Sequence, residues 1–161
     1  MEKRLDFGTD GIRGEWGRFP FVSDEIEKIG VAISEWYSDK NCGKQPSVVI
    51  CSDTRISCDL IEKSLIKGLS SRVSRVFLAG VLPTPALLKV MLESKRFDIG
   101  LVVSASHNLY KDNGVKVFEF PGGKLEESDE NKIIQLYEKL GETKKLGSSQ
   151  KNKEFCDRKL F

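Results

Sequence analysis

The feature that most restricts the fold of this chain is a repeated alternation of short apolar runs with longer segments of helical period. Val48-Val49-Ile50-Cys51, Arg75-Val76-Phe77-Leu78-Ala79 and Ile99-Gly100-Leu101-Val102-Val103 are short, mostly apolar runs of the kind that form strands covered on both faces. Around them, Ile26, Ile29, Ile33 and Trp36, then Leu60, Ile61, Leu65 and Leu69, then Leu87, Leu88, Met91 and Leu92 recur at helical spacing. Strands joined by helical crossovers pair in parallel. The order therefore predicts an α/β protein, a three-layer α/β/α arrangement on a small mixed, mainly parallel sheet. Ligands of such sheets bind beyond the carboxyl ends of the strands.

Local signals set the expected boundaries. Ser23 is placed to cap the first helix ahead of Asp24 and Glu25, and the second helix is expected from about Ser57. Gly80 closes the second strand, and Thr84-Pro85 reads as an N-cap followed by the first residue of the third helix. Val115 to Phe120, followed by Pro121-Gly122-Gly123-Lys124-Leu125, predicts a strand that turns back. Ile133, Ile134, Leu136, Tyr137 and Leu140 predict a last helix that Gly141 stops. Residues 1–140 are thus expected to form one domain, and residues 141–161, which lack an apolar period, a tail or linker.

Charge and cysteine usage narrow the partners. Lys+Arg 26 against Asp+Glu 24 gives no general field for nucleic acid or an anionic membrane, so any anion site must be local. The charged start Met1-Glu2-Lys3-Arg4 is followed by no apolar targeting segment, and no apolar run is long enough to span a bilayer. Cys42, Cys51, Cys58 and Cys156 are scattered, and the single histidine, His107, completes no zinc spacing with them. Reduced thiols and a cytoplasmic location are expected.

Two polar segments fit no core element and are expected as loops: Phe7-Gly8-Thr9-Asp10-Gly11-Ile12-Arg13-Gly14, and Ser104 through Lys116. Glycines at 8, 11 and 14 let backbone N–H groups approach an anion, and Arg13 offers a planar charged fork for phosphate. The second segment gathers Ser106, His107, Asn108, Asp112, Asn113 and Lys116, that is, a nucleophile, a titratable ring, amides and a cation. A serine hydrolase is disfavoured: Ser106 lacks the flanking glycines of a nucleophile elbow, and the adjacent His107 is poorly placed as its base. From the residues alone Lys116 reads as a solvated lysine, Arg13 as a turn-stabilising arginine and His107 as a loop histidine. Asp10 and Asn108 could cap turns, and Arg55 could pair with a helix-face carboxylate.

Taken together, Phe7 to Gly14, Ser104-Ala105-Ser106-His107-Asn108 and Asp112-Asn113-Gly114-Val115-Lys116 resemble the phosphohexose mutases in content, order and separation. Asp53-Thr54-Arg55 and Gly80-Val81-Leu82-Pro83-Thr84-Pro85-Ala86 extend the likeness, which runs from about Phe7 to at least Leu125. The opening segment is most similar to the bacterial phosphoglucosamine mutase branch. Leu109 departs from the proline usual after Ser-His-Asn, and Ser52 and Cys58 stand where glycine is common.

The resemblance implies a phosphoglucomutase-type domain I and interconversion of glucosamine 6-phosphate and glucosamine 1-phosphate through a 1,6-bisphosphate. It implies that Ser106 is the phosphoserine and a Mg²⁺ ligand through its phosphate. Lys116 would assist proton transfer or neutralise charge, Arg13 would bind phosphate or orient Lys116, and His107 and Asn108 would position phosphate or a sugar hydroxyl. Mannose or glucose phosphates, or a non-catalytic domain binding phosphosugars or a protein, are the alternatives. The remaining Mg²⁺ ligands and the sugar- and phosphate-reading loops belong to domains II–IV of the family, whose motifs are absent here. The isolated chain is therefore expected to lack mutase activity, with those domains as partners and room for a homodimer.

Overall fold

The computed structural model describes residues 4–70 and 72–143. In chain order the elements are β1 (Ile12–Glu15), α1 (Ser23–Lys40), β2 (Ser47–Ser52), α2 (Cys58–Leu69), β3 (Arg75–Val81), α3 (Thr84–Ser94), β4 (Ile99–Val103), β5 (Asp112–Glu119), β6 (Gly123–Lys124) and α4 (Glu127–Thr143). They form a six-stranded sheet of order β1-β5-β4-β2-β3, with β6 also on β5. β2 pairs in parallel with both β3 and β4, as helical crossovers require. β5 returns without a helix and is antiparallel to β4, β1 and β6, so the sheet is mixed, with its parallel part at β3-β2-β4.

The period of two along each strand divides the core into two layers. Val48, Ile50, Leu101, Val103, Val115 and Val117 join Ile29, Ile33, Trp36, Leu65 and Ile133 of α1, α2 and α4. Val49, Cys51, Val102 and Phe118 turn the other way onto Leu87 and Met91 of α3. The expected three-layer arrangement is thus the observed one.

Helix α1 crosses α2 very closely. A Cβ added to Gly30 would stand 2.6 Å from the carbonyl oxygen of Leu65, and one added to Gly68 would collide with the carbonyl of Glu27. On the opposite side, α4 is tied to α1 and β5 by polar contacts. Trp36 Nε1 donates to Asp129 Oδ1 at 2.9 Å, and Lys40 Nζ reaches both Asp129 Oδ2 and Glu119 Oε2 at 2.8 Å.

Several boundaries differ from the sequence reading. α1 begins at Ser23 after an extended Val22, with no side-chain cap, so Ser23 is inside the helix. α3 begins at Thr84 after an extended Pro83, with Pro85 in its first turn. β3 passes through Gly80, at φ +74°, to Val81. It is an edge strand, paired only with β2 among the described strands, and is half-buried because that position leaves one edge uncovered. Leu60 and Leu92, expected on core faces, are 47% and 50% exposed. α4 runs past Gly141 to Thr143; the rest of the expected tail, residues 144–161, and Cys156 with it, lies outside the described residues.

One polar cluster at the amino ends of β2 and β4 should make the fold acid-sensitive. Asp98 accepts from Tyr37 Oη at 3.0 Å, Lys44 Nζ at 2.7 Å and the Ser47 N–H at 2.8 Å. Burial alone would raise its carboxyl, but hydrogen bonds from Lys44, Ser47 and Tyr37 outweigh burial and hold it below the ordinary Asp range. A depressed folded value means stability that is complete above the ordinary Asp range and lost as pH falls from about 4 through the lower folded value. Asp98→Asn should lower stability at pH 7 by about 1–2 kcal/mol. It should also flatten the decline below pH 4, as read from urea midpoints at a series of pH values; an unchanged slope would exclude this role for Asp98.

Candidate functional site

The strand registers explain how two distant segments meet. β1 pairs with β5 so that Ile12 faces Val115 and Arg13 faces Gly114. Since Ile12 and Val115 enter the α1/α2/α4 layer, Arg13, Gly114 and Lys116 fall on the other face of the sheet. Gly114 leaves the room that Arg13 fills: a Cβ there would stand 3.0 Å from Nη1. β4 pairs with β5 so that Val102 faces Lys116, and the loop leaving β4 passes over the lysine. The first polar segment, expected as a loop, therefore ends in a strand. Asp112, Asn113 and Lys116 likewise lie on β5, because pairing with β1 and β4 overrides their weak strand propensity.

Ser106 is exposed just beyond the carboxyl end of β4, in the left-handed region at φ +56°. Lys116 Nζ donates to Ser106 Oγ at 3.0 Å, and the Ser106 N–H donates to Ser104 Oγ at 3.0 Å. Arg13 Nη1 donates to the Ser104 carbonyl at 3.3 Å, and its Nη2 pairs with Asp10 at 3.6 Å. Ser106, Lys116 and Arg13 are thus brought together around one turn. His107 and Asn108 are exposed on the same turn. Neither side chain has a hydrogen-bond partner among the described residues; Asn108 is held through its backbone, which donates to the Ala105 carbonyl at 3.1 Å.

Two cavities flank this centre. One of about 180 Å³ is lined by Phe7, Asp10, Gly11, Thr84, Lys116 and Lys124 among others. The other, about 410 Å³, opens at the ends of β2, β3 and β4 and is lined by Asp53, Thr54, Pro83, Thr84, Ser104 and Ser106 among others. Lys124 Nζ donates to the Thr9 carbonyl at 2.5 Å, which brings the β5–β6 turn to the first segment. Its contact is long-range, and no local signal marks it in the sequence.

Asp53 and Arg55 also belong to this neighbourhood. The Asp53 N–H donates to the Val103 carbonyl at 3.0 Å, and Cys58 Sγ lies 3.2 Å from Asp53 Oδ1. Burial would raise the Asp53 carboxyl. Hydrogen bonds from the Ser104 hydroxyl, the Arg55 N–H, the Cys58 thiol and the Arg55 side chain outweigh it and hold the group below the ordinary Asp range. Burial, then the bond to Asp53, pushes the Cys58 thiol up to about 12, so it stays a protonated donor. Arg55 pairs with this neighbouring carboxylate, not with one on a helix face.

The described residues contain no group of three or more His, Cys, Asp or Glu side chains able to hold a metal. No described helix is long and apolar enough to cross a membrane.

Comparison with known proteins finds matches to the sequence and to the fold. Residues 4–144 match the family model for phosphoglucomutase/phosphomannomutase, alpha/beta/alpha domain I. A phosphoglucosamine mutase of Bartonella bacilliformis is 42% identical over 133 residues, covering 83% of this chain and 29% of the relative. One from Neisseria subflava is 36% identical over 160 residues, covering 93% of this chain and 36% of the relative. A crystal structure of a phosphoglucomutase/phosphomannomutase family protein from Burkholderia thailandensis superposes with a TM-score of 0.68 at 26% identity, over 84% of this chain and 30% of that one. The chain therefore spans about a third of the length of the curated relatives it matches.

Proposed function

Since the chain belongs to the phosphoglucomutase/phosphomannomutase family, as its alpha/beta/alpha domain I, we propose that it is the phosphoserine-bearing part of a phosphoglucosamine mutase, with Ser106 as the residue that carries the phosphoryl group. The observation that carries this reading is the 3.0 Å contact between Lys116 Nζ and Ser106 Oγ on an exposed turn. In this reading the mutase domain is the matched span, residues 4–144, in which α4 runs to Thr143.

In the forward half-reaction a sugar hydroxyl oxygen attacks the phosphorus of phosphoserine 106. The new O–P bond forms as the Oγ–P bond breaks, the hydroxyl loses its proton and Oγ takes one. Lys116 is the group placed to supply that proton or to balance charge on Oγ. Arg13 shares the lysine's face of the sheet and fixes the turn through the Ser104 carbonyl. His107 and Asn108, unengaged at their tips, are free to meet phosphate or a sugar hydroxyl. The bisphosphate then turns and returns its other phosphoryl group to Oγ by the same step reversed.

Phosphoryl transfer depends chiefly on positioning and on compensating the charge of the moving group. Mg²⁺ would supply such compensation when bound; in this reading the phosphate on Ser106 would be one ligand, with the others to come from outside the described residues. For that reason the 161-residue chain alone turns over no substrate. The reading is tested by mixing the chain with a polypeptide carrying the part of a curated relative that it does not cover, then assaying glucosamine 6-phosphate, glucose 1-phosphate and mannose 1-phosphate in parallel. Turnover that prefers glucosamine 6-phosphate is expected. A preference for another sugar would reassign the branch, and turnover on none would favour a binding domain without catalysis.

A further inference from the structure

Arg55 stands outside the residues assigned above to the transfer step, yet its side chain meets the Ser106 turn at more points than any of them. Nε donates to Asp53 Oδ2 at 2.9 Å, and the Arg55 backbone N–H donates to Asp53 Oδ1 at 3.0 Å. Nη1 donates to the carbonyls of Leu109 at 2.5 Å and Asp112 at 2.9 Å. Nη2 donates to those of Ser106 at 3.1 Å and Asn108 at 3.0 Å. All the N–H groups of the guanidinium are therefore engaged, four of them on one turn, and the side chain is only 10% exposed.

Carbonyls of residues 106, 108, 109 and 112 can converge on one planar group only if the chain between them curls. That curl coincides with the left-handed conformation of Ser106, which L residues rarely adopt. Asp53 fixes the plane of the fork from behind, and is itself held by Cys58 and by the N–H of Arg55. A lysine at this position would bring three donors at a single point and could not span the same carbonyls.

We propose that Arg55, oriented by Asp53, is a positioning residue that presets the turn and so holds Ser106 Oγ at Lys116; the proposal rests on reading Ser106 as the transfer residue. The primary test uses the 161-residue chain and reads amide hydrogen exchange in Arg55→Ala and Arg55→Lys. The amides of Asn108 and Asp112, which close the turn onto Ala105 and Leu109, should exchange at least about tenfold faster in both variants, with α1 and β4 unchanged. Added methylguanidinium should restore protection in Arg55→Ala and leave Arg55→Lys unrepaired. Unchanged exchange in the turn, or loss of protection throughout the chain, would overturn the proposal.

In the mixed assembly described above, Arg55→Ala should lower kcat about 100-fold with KM changed by less than about threefold. A loosened turn with unaltered kcat would also overturn it. If the unsubstituted chain gives no turnover on any sugar, the transfer reading fails, and the exchange and rescue measurements alone decide whether Arg55 holds the turn.

Discussion

Ser106→Ala is expected to abolish acquisition of phosphate by the chain and to lower turnover of the mixed assembly by roughly a thousandfold or more, while leaving the fold as it is. The chemical part follows from the proposed role: without Oγ no ester can hold the phosphoryl group between the two half-reactions. The structural part follows from the surroundings of the residue. Its side chain is exposed and, among the described residues, its hydroxyl meets only Lys116. The left-handed backbone costs an L residue about 1–2 kcal/mol, but serine and alanine bear that cost alike. Stability should therefore shift by less than about 0.5 kcal/mol. Intact-mass measurement after incubation of the mixed assembly with a hexose 1,6-bisphosphate checks the first expectation, and a urea titration the second. Phosphate appearing on the alanine variant would place the transfer residue elsewhere.

Gly68→Ala should destabilise the protein by about 2–3 kcal/mol, although alanine is the better helix former by about 1 kcal/mol. The local gain is outweighed because the new methyl group would meet backbone, not a flexible side-chain end. The carbonyl of Glu27 lies in its path, with the Val31 nitrogen at 3.0 Å. α1 and α2 would have to separate, and Ile29, Ile33 and Leu65 pack in the same buried layer. The measurement is the denaturant midpoint of the variant at pH 7, with unchanged m-value expected. A midpoint equal to that of the parent chain would show that the crossing is softer than its geometry indicates.

Of the site, the sequence displayed the chemical types but not their meeting. Ser106, Lys116 and Arg13 stood in polar segments that resemblance marked, and the fold brings them around one turn. Arg55 stood in the sequence as a residue after a strand, with no local sign that its partners were carbonyls fifty residues later. Side-chain contacts to distant backbone leave no periodicity or composition behind. The same holds for β1, whose four residues are too few to show a strand pattern and exist as a strand through pairing with β5.

What the sequence by itself determined is the layered α/β core. Continuous runs such as Val48 to Cys51 must be covered on both faces, and helical spacing in the segments between them supplies the covering faces. What only the tertiary structure decided is which strand lies at an edge, leaving β3 half-covered, and which side chains share a face. Arg13 and Lys116 became neighbours through the register of β1 and β4 against β5, and register is a property of paired strands that neither strand specifies alone.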